Sequence, residues 1–310
     1  MLRRPRTDFW QVGIVPARVE TIDAAALHAA RAQISWLPDA GPWRYLADPF
    51  GLVRGDALHV FVEAFDYRSK RATIERHEFE LPRGSESARW RGQTTVLDKP
   101  FHLSYPLVFE HEGETWMVPE SHQAGEIALY RASDASLDHW ERECALLGGL
   151  PGADATLVEH GGRWWMFYTL VGPNARDQRE LHVAHAPALT GPWTPLAGNP
   201  VRVARDGARP AGHAFVGTDG VLVLPVQDSS AGYGSATRLL RFPVLTPEQV
   251  VIEAAAERLT GDLVSDTYTA GLHTLSGCGD FTLIDVKRID RSRGRQWLDF
   301  KRRLRRLAGR

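Results

Sequence analysis

Five segments of this 310-residue chain bring a polar or charged residue to the start of an apolar, strand-forming run. They are Asp48-Pro49-Phe50, Ser104-Tyr105-Pro106, Asp154-Ala155-Thr156, Arg209-Pro210-Ala211 and the segment from about 271 that carries His273. A second polar set ends the runs that follow: Glu63, Glu120, Tyr168, Gln227 and Asp285. If each pair of runs is a hairpin and the hairpins share one axis, these residues meet around one opening. A polar funnel built from every hairpin in that way is what a sugar or another polar ligand needs. The loop QDSSAGYG adds Gln227, Asp228 and Tyr233, groups suited to hydroxyls, although turn chemistry explains its Gly and Ser equally well.

The elements that must position these residues are short strands. Residues 154–201 read as one complete unit, with an apolar run at 155–158, a Gly161-Gly162 turn and the aromatic run 164–168. A polar loop, the alternating segment 181–185, a Gly191-Pro192 turn and a short last strand at 193–196 complete it. Four short strands punctuated by Gly and Pro make a meander, the unit of a propeller blade. Comparable units start at 48, 104, 209 and about 271, a spacing of roughly 50–60 residues. The fifth is short, and residues 9–16 offer the missing outer strand that would latch the ring.

A helix is expected over TIDAAALHAARAQISWL (21–37), with Thr21 or Asp23 as its cap and Pro38 as its stop. The fold class is therefore all-β: a five-bladed β-propeller over 1–290 with an N-terminal helix, followed by a basic tail over 291–310.

Composition bounds the function. Hydrophobic residues at 43% and charged residues at 24% describe an ordinary globular chain. Its ten Trp serve either as wide packing residues between sheets or as sugar-stacking platforms. The net charge of −1 hides basic ends: residues 1–6 carry three Arg, and 291–310 carry nine Lys/Arg against one Asp. The body, 7–290, keeps 25 basic and 37 acidic residues, which argues against a nucleic-acid groove. Two distant cysteines, Cys144 and Cys278, have no metal-ligand spacing, so a reduced, cytoplasmic setting is the expectation. No run approaches the roughly 18–20 apolar residues of a membrane span, and no signal peptide is read.

The tail RSRGRQWLDFKRRLRRLAGR sets Trp297, Phe300, Leu304 and Leu307 at helical spacing among Arg and Lys. Such a helix either docks on the propeller by its apolar stripe or lies on an anionic membrane surface, which would make the protein membrane-peripheral.

Asp48-Pro49-Phe50, Asp154-Ala155-Thr156-Leu157 and PALTGPWTPLAGNPV (187–201) resemble the five-bladed propeller glycosidases of the family 43 type. PFHLSYPLVFEHEGETWMVPES, the DATL unit, RPAG, VQDSSAGYG and GLHTL are more closely similar to the N-terminal domain of plant glucosamine inositolphosphorylceramide transferases and its bacterial stand-alone relatives. That similarity covers about 48–288. The glycosidase pattern implies an inverting site, with a base and an acid roughly 6.5–9.5 Å apart and an Asp tuning the acid. Asp48 matches the base and Asp154 the tuning Asp.

The acid position opens the fourth blade, and here it is Arg209, which cannot donate a proton at neutral pH. Either Glu120 or Glu63 supplies the acid, or the reaction is not performed. Arg209 suits an anionic group on the ligand, or else a salt bridge to Asp48 or Asp154. Glu120 reads as acid or as partner of a loop amide or Arg. His273 reads as a core histidine or as a channel residue, including support of a bound cation as in some relatives. Tyr105, Glu63, Gln227, Asp228 and Tyr233 complete the expected ligand contacts.

No GxGxxG between strand and helix, P-loop, HExxH or GxSxG occurs. The expectation is a carbohydrate-active protein that cleaves or transfers a glycosidic bond in cell-envelope or exopolysaccharide metabolism, with no required cofactor. The alternative is a non-catalytic glycan-binding or accessory module for a glycosyltransferase. In either case the partner is a carbohydrate or glycoconjugate.

Overall fold

A computed structural model describes residues 6–81 and 88–308. The strands form five antiparallel sheets, each a blade of a propeller. Blade one is Arg44–Arg54, Ala57–Asp66, Arg71–Glu80 and Arg89–Leu97; blade two is Ser104–His111, Glu114–Glu120, Glu126–Ala132 and Trp140–Gly148. Blade three runs Gly152–His160, Arg163–Leu170 and Glu180–Ala186, with two short outer pieces at Thr194–Pro195 and Arg202–Val203. Pro192, Pro195 and Pro200 explain the short outer pieces, since each removes a ladder donor. Blade four has Leu222–Asp228, Ala236–Leu245 and Val250–Ala254, and its innermost strand is broken into Arg209–Pro210 and Phe215–Val216.

Blade five is closed by the N-terminus. Gly271–Cys278 and Phe281–Asp290 pair with each other, Thr7–Val15 adds to the latter, and Ser35–Trp36 forms the outer edge. The N-terminal strand is thus third in its blade rather than outermost. The helix is correspondingly shorter than expected. It spans Ala24–Ala30, with the Asp23 side chain accepting from Ala26 N at 2.7 Å, and then gives way to a 3-10 turn. Ser35 and Trp36 are drawn into the sheet opposite Ile14 and Gly13, and a Cβ on Gly13 would stand 2.9 Å from Trp36. Sheet pairing therefore overrides helix propensity over the last part of that segment.

The core is a ring of layers between blades. Phe61 and Trp140 meet between blades one and two, Phe167 and Phe242 between three and four, and Leu58 and Leu283 between five and one. Leu27 of the short helix is fully buried against Leu259, Val264 and Leu275. Most buried Trp side chains pack between sheets: Trp140, Trp165 and Trp193 each donate their indole N–H to a backbone carbonyl only three to five residues away.

The innermost strands share one device. Between Ala47 and Phe50, Ser104 and Leu107, Ala153 and Thr156, and Leu272 and Leu275, one extra residue is inserted opposite the second strand. These are β-bulges, which bend a strand and re-aim a side chain. Asp48, Tyr105 and Asp154 sit on them with φ of 50°, 45° and 49°. A non-glycine residue in that region costs on the order of 1–3 kcal/mol, so the surrounding contacts hold it there.

Candidate functional site

The bulges turn the two Asp side chains toward neighbouring blades. Asp48 accepts from Tyr105 N of blade two at 3.3 Å and from the Thr274 hydroxyl of blade five at 3.2 Å, and its own backbone N–H donates to Asp285 at 2.9 Å. His273 Nε2 stands 3.6 Å from Asp48 Oδ1. The other ring nitrogen, Nδ1, is held by Asp285 at 2.8 Å, and Asp285 also accepts the backbone N–H of His273 and of Thr274. Trp10 of the N-terminal strand stacks on the imidazole at 3.7 Å between ring centres. The imidazole plane is therefore fixed by Asp285 and Trp10, with Nε2 directed at Asp48. One ligand atom from each of Asp48, His273 and Asp285 lies within 4.8 Å of the others, a donor set that a cation could use.

The second half of the cluster centres on Arg209. Its Nε and Nη2 grip both oxygens of Asp154 in blade three, the latter at 3.1 Å. Nη2 also reaches Glu120 of blade two at 3.5 Å, and Nη1 reaches Asp177 at 3.3 Å. Gln227, directly opposite Arg209 in blade four, donates to Asp154 at 3.1 Å, and its Oε1 has no partner among the described residues. His122 binds the other oxygen of Glu120 at 2.6 Å. Of the two readings of Arg209, the geometry is the salt bridge to Asp154: its donors are engaged by three carboxylates of the protein itself.

Glu63 differs from its neighbours. It is buried, and its nearest polar partners are Tyr45 OH at 3.5 Å and His102 Nε2 at 3.4 Å. Burial, followed by the charges of Asp48 and Glu120, pushes Glu63 well above the usual carboxylate range. Burial lowers His102 too, so that imidazole is a weak counter-charge. Glu120 goes the other way. Burial would raise it, but the His122 hydrogen bond and the Arg209 charge outweigh that and bring it down to about 2. Asp48 is raised by burial, with His273 opposing and Asp285 adding to the rise. Two buried glutamates at equivalent blade positions are thus pushed in opposite directions.

An open pocket of about 350 Å³ lies on the channel mouth, lined by Trp10, Tyr45, Tyr67, Tyr233, Arg6 and Arg295 among others. Its floor connects to the cluster: Tyr45 reaches Glu63, Trp10 covers His273, and the Arg209 guanidinium stands 5.5 Å from the Tyr233 ring centre. Lys287 donates to the Tyr233 carbonyl and lies 4.9 Å from the Trp10 ring centre. A larger cavity of about 540 Å³ shares Trp10 and Tyr45 but otherwise runs along the 38–44 loop and Arg288, away from the carboxylates.

The structure therefore brings together Asp48, Glu63, Glu120, Asp154, Arg209, Gln227, Tyr233 and His273. It sets two expected contacts apart. Tyr105 is fully buried, and its hydroxyl is satisfied by Thr156 at 2.7 Å and by Gly212 N at 2.6 Å, so it ties blades two, three and four together. Asp228 is also fully buried and pairs with Arg238 and Arg258 on the blade's own strands and loop. Register corrects three further positions. Thr169, not Tyr168, and Val286, not Asp285, are the equivalents of Glu63 and Glu120, and Arg209 aligns with Ala47, Ser104 and Ala153, one residue before the bulge. Trp10, Tyr45, Thr274, His122 and Asp177 were not anticipated. Trp10 had a signal in the expectation that 9–16 closes the ring.

Five four- to five-stranded blades around a polar, carboxylate-rich mouth define the class of five-bladed β-propellers. Two solved structures share the fold: an α-L-arabinofuranosidase from Podospora anserina (TM-score 0.56, 11% identity, covering 79% of this chain and 90% of that one) and an exo-β-1,3-galactanase from Clostridium thermocellum (TM-score 0.51, 11% identity, 70% and 50%). Within that class the chain belongs to the family described as glucosamine inositolphosphorylceramide transferase 1, N-terminal, which it matches over residues 32–259. It is 34% identical to the glucosamine inositolphosphorylceramide transferase 1 proteins of Oryza sativa subsp. indica, over 214 residues, and of Arabidopsis thaliana, over 211 residues. Each match covers 67% of this chain and 27% of the relative, so the chain spans about a quarter of the length of these relatives.

Proposed function

We propose that this chain recognises a glycan or the sugar of a glycoconjugate at the channel mouth, as a binding module serving glycosyl-transfer chemistry, and does not perform inverting hydrolysis. The observation that carries this reading is the Arg209–Asp154 pair. Inversion needs a protonated acid with a free Asp to tune it. Here Asp154 is held at both oxygens by Arg209, and Glu120 beside it is ionised. The pocket suits recognition. Trp10, Tyr45, Tyr67 and Tyr233 offer aromatic faces to sugar C–H groups, and the carboxylates below can accept hydroxyls. The names of the relatives, glucosamine inositolphosphorylceramide transferases, support a sugar carried on an inositolphosphorylceramide as the ligand class.

One observation favours a second reading. Glu63, pushed well above the usual carboxylate range by burial and by the charge of Asp48, has the properties of a general acid that replaces the residue lost at Arg209. A single experiment separates the two. Wild type, Asp48→Asn and Glu63→Gln are incubated with nitrophenyl arabinofuranosides and galactosides and with a panel of cell-surface oligosaccharides, with binding followed by calorimetry. Glycan binding by wild type and, at most modestly weakened, by Asp48→Asn, with no sugar released by any preparation, is the expected result. Sugar release that disappears in either variant would overturn it and assign hydrolysis to Asp48 and Glu63.

A further inference from the structure

The C-terminal helix spans Gly294–Ala308, and it meets the propeller with its polar side. Its start is seated on blade one: a Cβ on Gly294 would stand 2.6 Å from the Trp43 ring, and the Arg295 guanidinium lies 4.6 Å from the centre of the Tyr67 ring. Further along, Lys70 reaches Asp299 at 3.5 Å, and Arg302 braces the same carboxylate at 3.2 Å. Arg295, Asp299 and Arg302 lie at i, i+4 and i+7 on one face, so that face is turned inward. Trp297, Phe300 and Leu304 lie on the opposite face and are 59%, 49% and 49% exposed. The expectation that an apolar stripe would dock on the propeller is reversed. The side chains beyond Leu304 lie outside the described residues.

We propose that this outward face is a membrane-binding surface, and that its occupant is the anionic headgroup layer of a phospholipid bilayer. Three features select that partner over a second copy of the chain. The aromatic pair Trp297 and Phe300 is stacked at 5.5 Å, and Lys301 stands 5.3 Å from the Trp297 ring centre, so a cation sits beside the apolar patch rather than outside it. Arg295 and Arg302 turn inward, but Lys301 and Arg303 are exposed and flank the apolar face. Packing two such faces together would bring these charges into mutual repulsion, whereas anionic lipid complements them. Apolar and aromatic side chains entering the acyl boundary, with Lys and Arg reaching the headgroups, is the pattern of an interfacial helix.

Arg295 of this helix also lines the aromatic pocket with Trp10, Tyr45 and Tyr233. A bilayer on the outer face would therefore lie beside the channel mouth, within reach of sugars carried on lipids. The membrane contact itself does not depend on the glycan reading.

The test uses the full chain and sucrose-loaded vesicles of phosphatidylcholine, alone or with a rising fraction of phosphatidylglycerol. Wild type should sediment with the anionic vesicles, progressively less as salt is raised, and weakly with phosphatidylcholine alone. Trp297→Ser/Phe300→Ser/Leu304→Ser should lower the partition coefficient about tenfold or more while leaving the thermal midpoint unchanged. Lys301→Gln/Arg303→Gln should lose chiefly the salt-sensitive part. Failure of wild type to sediment with anionic vesicles would overturn the proposal. So would equal sedimentation of wild type and the triple-Ser variant. A concentration-dependent dimer that the triple-Ser variant dissolves, without vesicle binding, would assign the face to a second copy instead.

Discussion

Arg209 of blade four holds both carboxylate oxygens of Asp154 in blade three, and both residues are buried. The pair joins two blades at the centre of the polar cluster. Its energetics follow from what is left behind when one partner goes. In Arg209→Met, Asp154 and Glu120 lose their common counter-charge inside the protein, a loss of about 3–5 kcal/mol. Arg209→Lys should recover only part of this, because an ammonium cannot grip two oxygens and Glu120 together. Arg209→Met/Asp154→Asn should be more stable than Arg209→Met alone, since the amide carries no charge and Asn tolerates the positive φ of 49°. Urea unfolding of the four proteins measures these differences. Equal loss in the single and double variants would mean that the pair contributes packing rather than charge.

The same pair shows what a sequence reading can reach. The starts at Asp48, Ser104 and Asp154 were visible because Gly and Pro turns mark the hairpins and the apolar runs repeat at blade spacing. That Arg209 faces a carboxylate was visible as one of two alternatives. The register was not. A one-residue bulge leaves no mark in an apolar run, so Arg209 looked equivalent to Asp48 although it pairs one step earlier, opposite Gln227. Orientation was hidden for a related reason in the last helix. Its spacing reveals an apolar face and a charged face, but the seat of Gly294 on Trp43 and the Lys70–Asp299 contact decide which one turns inward.

Tyr105 is a buried bridge between blades. Its hydroxyl exchanges hydrogen bonds with Thr156 and with the backbone of Gly212, at 2.7 and 2.6 Å. Tyr105→Phe leaves the Gly212 N–H without this acceptor in a dry interior, which should cost about 1–3 kcal/mol. Glycan affinity should not change. Denaturant unfolding reads the first quantity and calorimetry the second. A large loss of affinity at unchanged stability would return Tyr105 to the binding site.

Gly212 is required by close approach. It adopts φ of 137°, and a Cβ there would stand 1.9 Å from the Leu275 carbonyl oxygen of blade five. The backbone of blade four cannot retreat without releasing Tyr105 and the Leu275 N–H, which donates to Ala211 at 2.7 Å. Gly212→Ala should therefore destabilise by about 3 kcal/mol or more, from backbone strain and overpacking combined. Thermal unfolding of Gly212→Ala beside Gly198→Ala, where the added methyl meets open space, separates close approach from ordinary glycine effects. Similar midpoints for the two variants would show that the inner strand shifts freely.

Glu63 sets the direction of one pH effect. Its carboxyl lies well above the usual range in the folded chain, because burial and the charges of Asp48 and Glu120 disfavour the ionised form. The folded state therefore binds a proton that the unfolded state has already released once pH exceeds the ordinary glutamate value, about 4.3. Between that value and the raised folded value, stability falls as pH rises. Glu63→Gln removes the proton and with it this contribution. Relative to wild type, the variant should gain stability progressively from about pH 4.5 up to the raised folded value, with little difference between the two at about pH 4. Glu120, lowered to about 2, acts with the opposite sign, and its contribution is lost only in more acidic solution. Thermal midpoints of wild type and Glu63→Gln at half-unit pH steps resolve the two. A constant offset across the whole range would mean that Glu63 is ionised in the folded protein, and the general-acid reading would fail with it.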